Sequence, residues 1–403
     1  MNEPKLRFKD NNGNQYPKWE EKKLKEVAAR ITRKNKDNST DIPLTISSLD
    51  GLIDQRDFFN KVVASKNMSG YYLLKKGEFA YNKSYSKGYD FGSIKRLNLY
   101  DKGALSTLYI CFALKDNENS DFYEKYFDSL SWYSELQKIC TEGARNHGLL
   151  NVSTDDFFEF KLHVPVSKEE QQKIASLFTE LDDLIQSAEK ELEGYRELKQ
   201  GMLQKMFPKN GETTPEIRFP EFTGDWEQRK VGEFLTESRK SGHKGDVAHK
   251  LTVKLWGKGV YEKNEVGSVN TQYFTRHAGQ FIYSKLDFLN CAFGVVPEEL
   301  ESFETTADLP AFDCDGVNPH FMFYTAIQPS FYEKNGMIAD GSRKAKRIHV
   351  DTFLDMPFFV PSLEEQNKIV SLLSGLDDLL TLQQKELDGY KELKKGLLQQ
   401  MFC

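Results

Sequence analysis

The sequence predicts an α+β chain. Two α/β domains are separated by two long helices that pair as an antiparallel coiled coil, with internal pseudo-two-fold symmetry. Three observations predict this. Residues 169–207 and 364–402 align over 39 positions without a gap, and 24 of them are identical. The blocks ahead of the two copies share a skeleton of short motifs and little else. Apolar residues in the copies recur at steps of three and four, whereas segments in the blocks look like strands. The implied domains are 1–165 and 209–361, with long helices at 166–208 and 362–403.

Each half opens with a head. Pro4-Lys5-Leu6-Arg7-Phe8 is echoed by Pro215-Glu216-Ile217-Arg218-Phe219, and Trp19-Glu20 by Trp226-Glu227. The blocks follow, at roughly 27–165 and 234–361. GEFAYNK (77–83) matches GQFIYSK (279–285), and Gly-x-Arg occurs at 143–145 and 341–343. The apolar pairs Leu150/Val152 and Ile348/Val350 come next. KVVASK (61–66), GEFAYNK, TLYICFAL, KLHVPV, GQFIYSK and MPFFVP read as strands. Residues 121–139 and 320–334 read as short helices.

The long helices have the clearest period. The expected seam takes Ile174, Leu177, Leu181, Leu184, Leu192, Tyr195, Leu198 and Met202 from the first copy, with Ala188 between. From the second it takes Ile369, Leu372, Leu376, Leu379, Leu387, Tyr390, Leu393 and Leu397. The step from Ala188 to Leu192 is four where strict heptads want three, a stutter expected to relax the supercoil locally. Glu169-Glu170 and Glu364-Glu365 oppose the positive end of each helix dipole. Pro208 stops the first copy. At ~1.5 Å per residue, each copy makes a rod of ~58 Å. A stripe this narrow on so long a helix needs a partner helix, and the simplest partner is the other copy. Antiparallel pairing would place one block at each end. The copies also share surface residues (Lys190/Lys385, Glu191/Glu386, Glu197/Glu392, Lys199/Lys394) that core packing does not require. These point to an outside partner met by both copies.

Net charge is −6, but the charge is segregated. Residues 56–102 hold ten Lys/Arg against four Asp/Glu, and 103–159 hold four against ten. Residues 239–285 hold nine against three, and 286–333 hold none against nine. Residues 334–349 return five basic residues against one acid. A basic portion interleaved with Tyr, Asn, Gln and Ser can neutralise phosphates and read base edges. Its repetition in two divergent blocks points to nucleic acid.

Other classes are disfavoured. No apolar run approaches the ~20 residues that span a bilayer. The start, MNEPKLRFKD, lacks the apolar core of a signal peptide. Five scattered cysteines without CxxC read as reduced thiols in a cytoplasmic protein. There is no GxxxxGK[ST], HExxH or GxSxG, and the seven histidines have no metal spacing. Asn318-Pro319-His320-Phe321 approaches the NPPY/NPPF motif of adenine methyltransferases, but its third position is wrong and no cofactor loop accompanies it. No catalytic residue and no metal site are expected. The chain reads as one that binds and positions while others do the chemistry.

Each half has RF…W-E ahead of its block. Behind it runs (V/I)P…EEQ-x-KI…LD-x-L…GY-x-ELK-x-G-x-LQ-x-MF. The stretches are Val164-Pro165…Glu169-Glu170-Gln171 and Val360-Pro361…Glu364-Glu365-Gln366. This double pattern resembles the DNA-specificity subunit of type I restriction-modification systems over essentially the whole chain. The resemblance implies that each block is a target-recognition domain for one half of an asymmetric split site in double-stranded DNA. The helices would set the gap between half-sites and dock two modification subunits, with restriction subunits joining them. S-adenosylmethionine, ATP and Mg would sit on those partners and no cofactor on this chain.

Tyr81 and Lys83 match Tyr283 and Lys285, and Arg145 matches Arg343. Such positions suit a common task, phosphate contact or loop structure. Bases would be read by unmatched neighbours: Asn82, Ser84, Lys87 and Arg96 in one block, Arg276, Lys344, Lys346 and Arg347 in the other. Two other classes compete. A coiled-coil scaffold with two protein-binding domains explains the helices but not the basic portions. A self-contained modification enzyme conflicts with the missing motifs.

Overall fold

The structure is a computed structural model. It describes the chain apart from residues 1–2, 60–66, 140–144, 147–148, 151, 210 and 338–346, with 145, 146 and 149 described by backbone alone. The expected strand KVVASK lies outside the described residues. The chain forms two compact units, Met1–Glu189 with Lys385–Cys403, and Lys190–Gln384. Both divisions fall inside a long helix, so each unit holds one block, the start of one long helix and the end of the other.

In the first unit, Glu20–Lys23 pairs antiparallel with Lys161–Val164, closing the block beside the start of its helix. One four-stranded sheet runs in the order Ala28–Arg30, Ile110–Leu114, Phe79–Asn82, Ser93–Arg96. A second runs Gly51–Asp54, Pro43–Ser47, Lys102–Leu105, Tyr72–Lys75, its middle pair parallel. The second unit repeats both. Glu227–Lys230 pairs with Pro357–Val360. Leu235–Ser238, Ala311–Cys314, Phe281–Tyr283 and Phe293–Val295 form the first sheet. Gln272–Thr275, Glu304–Thr305, Lys250–Val253 and Val260–Lys263 form the second, with Ser241–Lys244 added at one edge.

The matched heptapeptides account for this shared frame. Gly77 and Gly279 have φ of +84° and +82°, a turn conformation that glycine adopts without strain. Alternate residues then enter opposite cores. Phe79 and Tyr81 join an aromatic core with Phe112, Phe127 and Phe157, while Ala80 joins Leu44, Leu74 and Leu105 across the sheet. Phe281 and Tyr283 likewise join Phe312, Phe321 and Phe353, and Ile282 joins Leu251, Val260 and Leu300.

Each stretch read as a short helix is two helices. These are Ser120–Asp128 and Tyr133–Ile139, then Pro319–Ala326 and Pro329–Gly336. Leu130 at φ +61° breaks the first stretch, and Pro329 starts a new helix in the second. Asn119 and Asn318 cap the leading helices, their side-chain oxygens accepting from Phe122 N and from His320 N and Phe321 N. Asn318-Pro319-His320-Phe321 is therefore a helix start, with its proline at the first position.

The long helices span Lys168–Lys205 and Leu363–Met401. Each unit pairs its two segments antiparallel. In the first unit Glu189 meets Lys391 at 2.7 Å and Asp182 meets Lys394 at 2.5 Å. In the second unit Gln384 accepts from Arg196 at 3.3 Å, and Asp377 pairs with Lys199. One strand of the pair advances as the other recedes.

The seam differs from the sequence reading. A run of buried or half-buried positions at steps of four and three takes in Ile174, Phe178, Leu181, Ile185 and Ala188 in the first unit, and Leu192, Tyr195, Lys199, Met202 and Met206 in the second. The other helix gives Ile369, Leu373, Leu376, Leu380 and Gln383, then Leu387, Tyr390, Lys394, Leu397 and Met401. Both alternate four and three throughout, so there is no stutter. Leu184, Leu198, Leu379 and Leu393 are 42–51% exposed and Leu372 37%, so these five face outward. Leu177 is half-buried at the edge of the core. Hydrophobicity alone chose Leu198 over Lys199 and Leu393 over Lys394. The structure seats the lysines in the seam because Asp377 and Asp182 pair with them. Lys199 and Lys394 are thus not shared surface.

The heads are pinned to the helix starts. Arg7 donates to Glu170 at 2.9 and 2.8 Å, and Glu170 is fully buried. Arg218 donates to buried Glu365 at 2.7 and 2.8 Å, and Trp226 Nε1 adds a third bond at 3.3 Å. Ser167 and Ser362 accept from the backbone N–H of Glu170 and Glu365, starting each helix. Gln171 and Gln366 donate to the carbonyls of Pro165 and Pro361. RF and EEQ, far apart in sequence, are two parts of one clamp.

Candidate nucleic-acid interface

The strand ends place the candidates. In the first unit Phe79 pairs with Arg96 and Asn82 with Ser93, so Lys83 and Arg96 leave opposite ends of one strand pair. At the Lys83 end, a loop runs from 83 to 92. The Lys83 carbonyl accepts from Leu150 N at 3.1 Å, and its amine donates to Val152 O at 2.7 Å. The loop thus lies beside the hairpin of Arg145–Asn146 with Leu149–Leu150. Burial holds the Lys83 amine below the usual lysine range. Asn82 Oδ1 accepts from Ser84 N, bending the loop's first residues. Lys87 and Tyr85 are exposed farther along it.

The second unit repeats the arrangement. The Lys285 carbonyl accepts from Ile348 N at 3.0 Å, and burial depresses the Lys285 amine. Arg347 lies one residue before Ile348 and pairs with Asp308 at 3.0 Å, while Lys285 N donates to the Asp308 carbonyl. Arg343, Lys344 and Lys346 lie outside the described residues, as does the side chain of Arg145. The structure therefore gathers Lys83, Lys87 and the Arg145 backbone at one sheet end, and Lys285 with Arg347 at the matching end of the other.

Three candidates belong elsewhere. Tyr81 is fully buried, stacked on Phe157 at 4.6 Å, with its hydroxyl donating to Phe91 O at 2.8 Å. Strand alternation turns it inward, as it does Tyr283. Arg96 bonds Asn98, Asp121 and Glu124 at 2.7–2.8 Å, so its charge is already neutralised. Arg276 is 2% exposed and donates to Thr305 Oγ1 and to the carbonyls of Ser238 and Leu309. Desolvation pulls its pKa down to about 10. It ties segments of the second unit together from within. Arg276→Ala removes three bonds and leaves two carbonyls and a hydroxyl to find other partners. It is expected to cost the second unit roughly 3 kcal/mol in thermal melts. A variant that melts like the parent but binds DNA more weakly would contradict this placement.

The charge segregation also has a partly internal use. Lys95 pairs with Asp128, Arg96 with Asp121 and Glu124, and Lys125 with Asp182. Acids of 103–159 thus neutralise cations of 56–102 within the fold. Burial alone would raise the Asp182 carboxyl, but hydrogen bonds from Lys125 and Lys394 outweigh it and hold it below the ordinary value. Among the described residues no group of three or more His, Cys, Asp or Glu is placed to hold a metal, and no helix is long and apolar enough to cross a membrane.

Sequence reasoning missed the outward leucines. Leu184 and Leu393 in the first unit, and Leu379 and Leu198 in the second, occupy equivalent exposed positions on the helix segments. Their signal was identity between copies at positions the seam does not use.

Residues 16–194 match the family model described as the type I restriction modification DNA specificity domain. The type I restriction enzyme MjaVIII specificity subunit of Methanocaldococcus jannaschii is 22% identical over 329 residues, covering 77% of this chain and 76% of that one. The HsdS subunit from Thermoanaerobacter tengcongensis has a similar fold, with a TM-score of 0.51, 16% identity, and coverage of 98% and 99%. The type I restriction-modification S subunit from M. genitalium gives a TM-score of 0.56, 14% identity, and coverage of 100% and 99%.

Proposed function

We propose that this chain is a specificity subunit of a type I restriction-modification system and that each of its two units reads one half of a split, non-palindromic DNA sequence. One observation carries the reading. The two units share one sheet topology and one Gly-x-Phe-x-Tyr-x-Lys frame, yet different residues fill the loops at the same end of that frame. Such a frame suits two unlike half-sites. Lysines and arginines on these loops would neutralise phosphates, and polar neighbours would reach base edges in the major groove.

Both long helices run from one unit into the other, and we assign them the task of fixing the gap between half-sites. The outward leucine pairs would seat two modification subunits, one per unit, and restriction subunits would join that core. S-adenosylmethionine, ATP and Mg are assigned to those partners and catalysis with them. The chain would supply recognition alone, in the cytoplasm.

Exchanging residues 27–165 for the corresponding block of another specificity subunit tests this. The methylated motif is expected to change in one half and keep the other half and the gap. A change in both halves, or in neither with methylation intact, would contradict the reading.

A further inference from the structure

The chain has four tryptophans, and three of them are buried. Trp256 is 61% exposed, in the loop joining Lys250–Val253 to Val260–Lys263. Its φ is +61°, and that of Gly257 is +64°. Two successive left-handed residues make a turn that favours Asn-Gly. A bulky aromatic at the first position is an outlier. The ring buries too little to compensate through packing.

The loop backbone is nonetheless held firmly. Lys254 N donates to Gly259 O, Trp256 N to Asn290 O, and Gly257 N to Cys291 O, at 2.8–2.9 Å. The loop therefore presents its ring from a fixed base. Lys254 Nζ lies 3.7 Å over the ring of Tyr261, and Lys258 is exposed beside it. Among the described residues neither lysine forms an ion pair. The cleft under the loop holds Lys199, Lys254 and Lys258 against Asp377 and Asp378, a surplus of one positive charge. The matching turn of the first unit, between Pro43–Ser47 and Gly51–Asp54, exposes Leu49 to 82%. Both units thus present an apolar side chain at the same topological tip.

We propose that Trp256 is an aromatic wedge that stacks on a base of duplex DNA at the half-site met by the second unit. This rests on the DNA-reading function above. Strain kept at an exposed position fits a binding role. The flanking lysines would hold phosphates while the ring stacks on an opened base step, a contact any base can accept. Modification chemistry on a base requires that the stack be opened.

The test uses the full chain labelled with 5-hydroxytryptophan and assembled with unlabelled modification subunits, with a duplex carrying the methylated motif as probe. The Trp256 signal is the difference between the parent and Trp256→Phe. DNA is expected to quench it and shield it from acrylamide. Trp256→Ala should bind roughly 5- to 100-fold more weakly, and Trp256→Phe should retain most of the affinity. Trp256→Gly, which relieves the left-handed strain, provides a variant that folds at least as well and should bind as weakly as Trp256→Ala. Specific binding with an unshielded Trp256 overturns the wedge and leaves the function standing. Shielding on subunit assembly, with no further change on DNA, overturns it in favour of a protein contact. A parent complex with no preference for the motif overturns both.

Discussion

Arg218→Ala is expected to lower the stability of the second unit by about 3–5 kcal/mol, because it leaves the Glu365 carboxylate buried without its bidentate partner. For a domain of about 200 residues this is a drop of roughly 6–20 °C in melting temperature. Arg7→Ala should do the same in the first unit, where Glu170 is equally enclosed. The charge itself is the liability once unpaired. Replacing both members together, as Arg218→Met with Glu365→Leu, should therefore cost less than Arg218→Ala alone. Circular-dichroism melts of the single and double variants decide the matter. Equal melting of Arg218→Ala and the parent would mean that the clamp does not hold head to helix.

Glutamate at both outward leucines of a unit should abolish docking there while leaving the fold intact. The pairs are Leu184→Glu with Leu393→Glu, and Leu198→Glu with Leu379→Glu. These side chains are 42–51% exposed, so the melts should stay within about 0.5 kcal/mol of the parent. Two leucines buried against a partner contribute roughly 3–6 kcal/mol, so affinity should fall at least about 100-fold. Native mass spectrometry should then show one modification subunit lost for each altered pair and both lost for all four changes. A folded quadruple variant that still carries two modification subunits would remove the leucines from the interface.

Much of this was legible because the chain repeats itself. Identity between copies exposed the helices, and the matched Gly-x-Phe-x-Tyr-x-Lys exposed the common sheet. RF and EEQ were visible as motifs, but not as partners, since nothing in a sequence links Arg218 to Glu365 across 147 positions. The seam was misread where electrostatics overrode hydrophobicity. Lys199 sits inside because Asp377 pairs with it, and that pairing exists only once the helices meet. Tyr81 looked like a contact because it stands close to Lys83 in the chain, yet it lies within the strand with its side chain in the core, whereas Lys83 follows the strand's end. Arg276 looked free for DNA because its oxygen partners, Ser238 on one segment and Thr305 and Leu309 on another, lie about 30–40 positions away in the chain. Charge segregation overstated the basic surface, because acids such as Asp121, Glu124 and Asp128 fold back on the cations they follow in sequence. Local pattern carried the frame. The missing part was long-range pairing of charged groups.

The most direct measurement is a methylation map of cells expressing this chain with its modification subunit, read by single-molecule sequencing. The account predicts methylated adenines in a motif of two unlike halves with a fixed gap, absent when this chain is omitted. A modification subunit that is active with another specificity chain, yet yields a palindromic motif or none with this one, would contradict it.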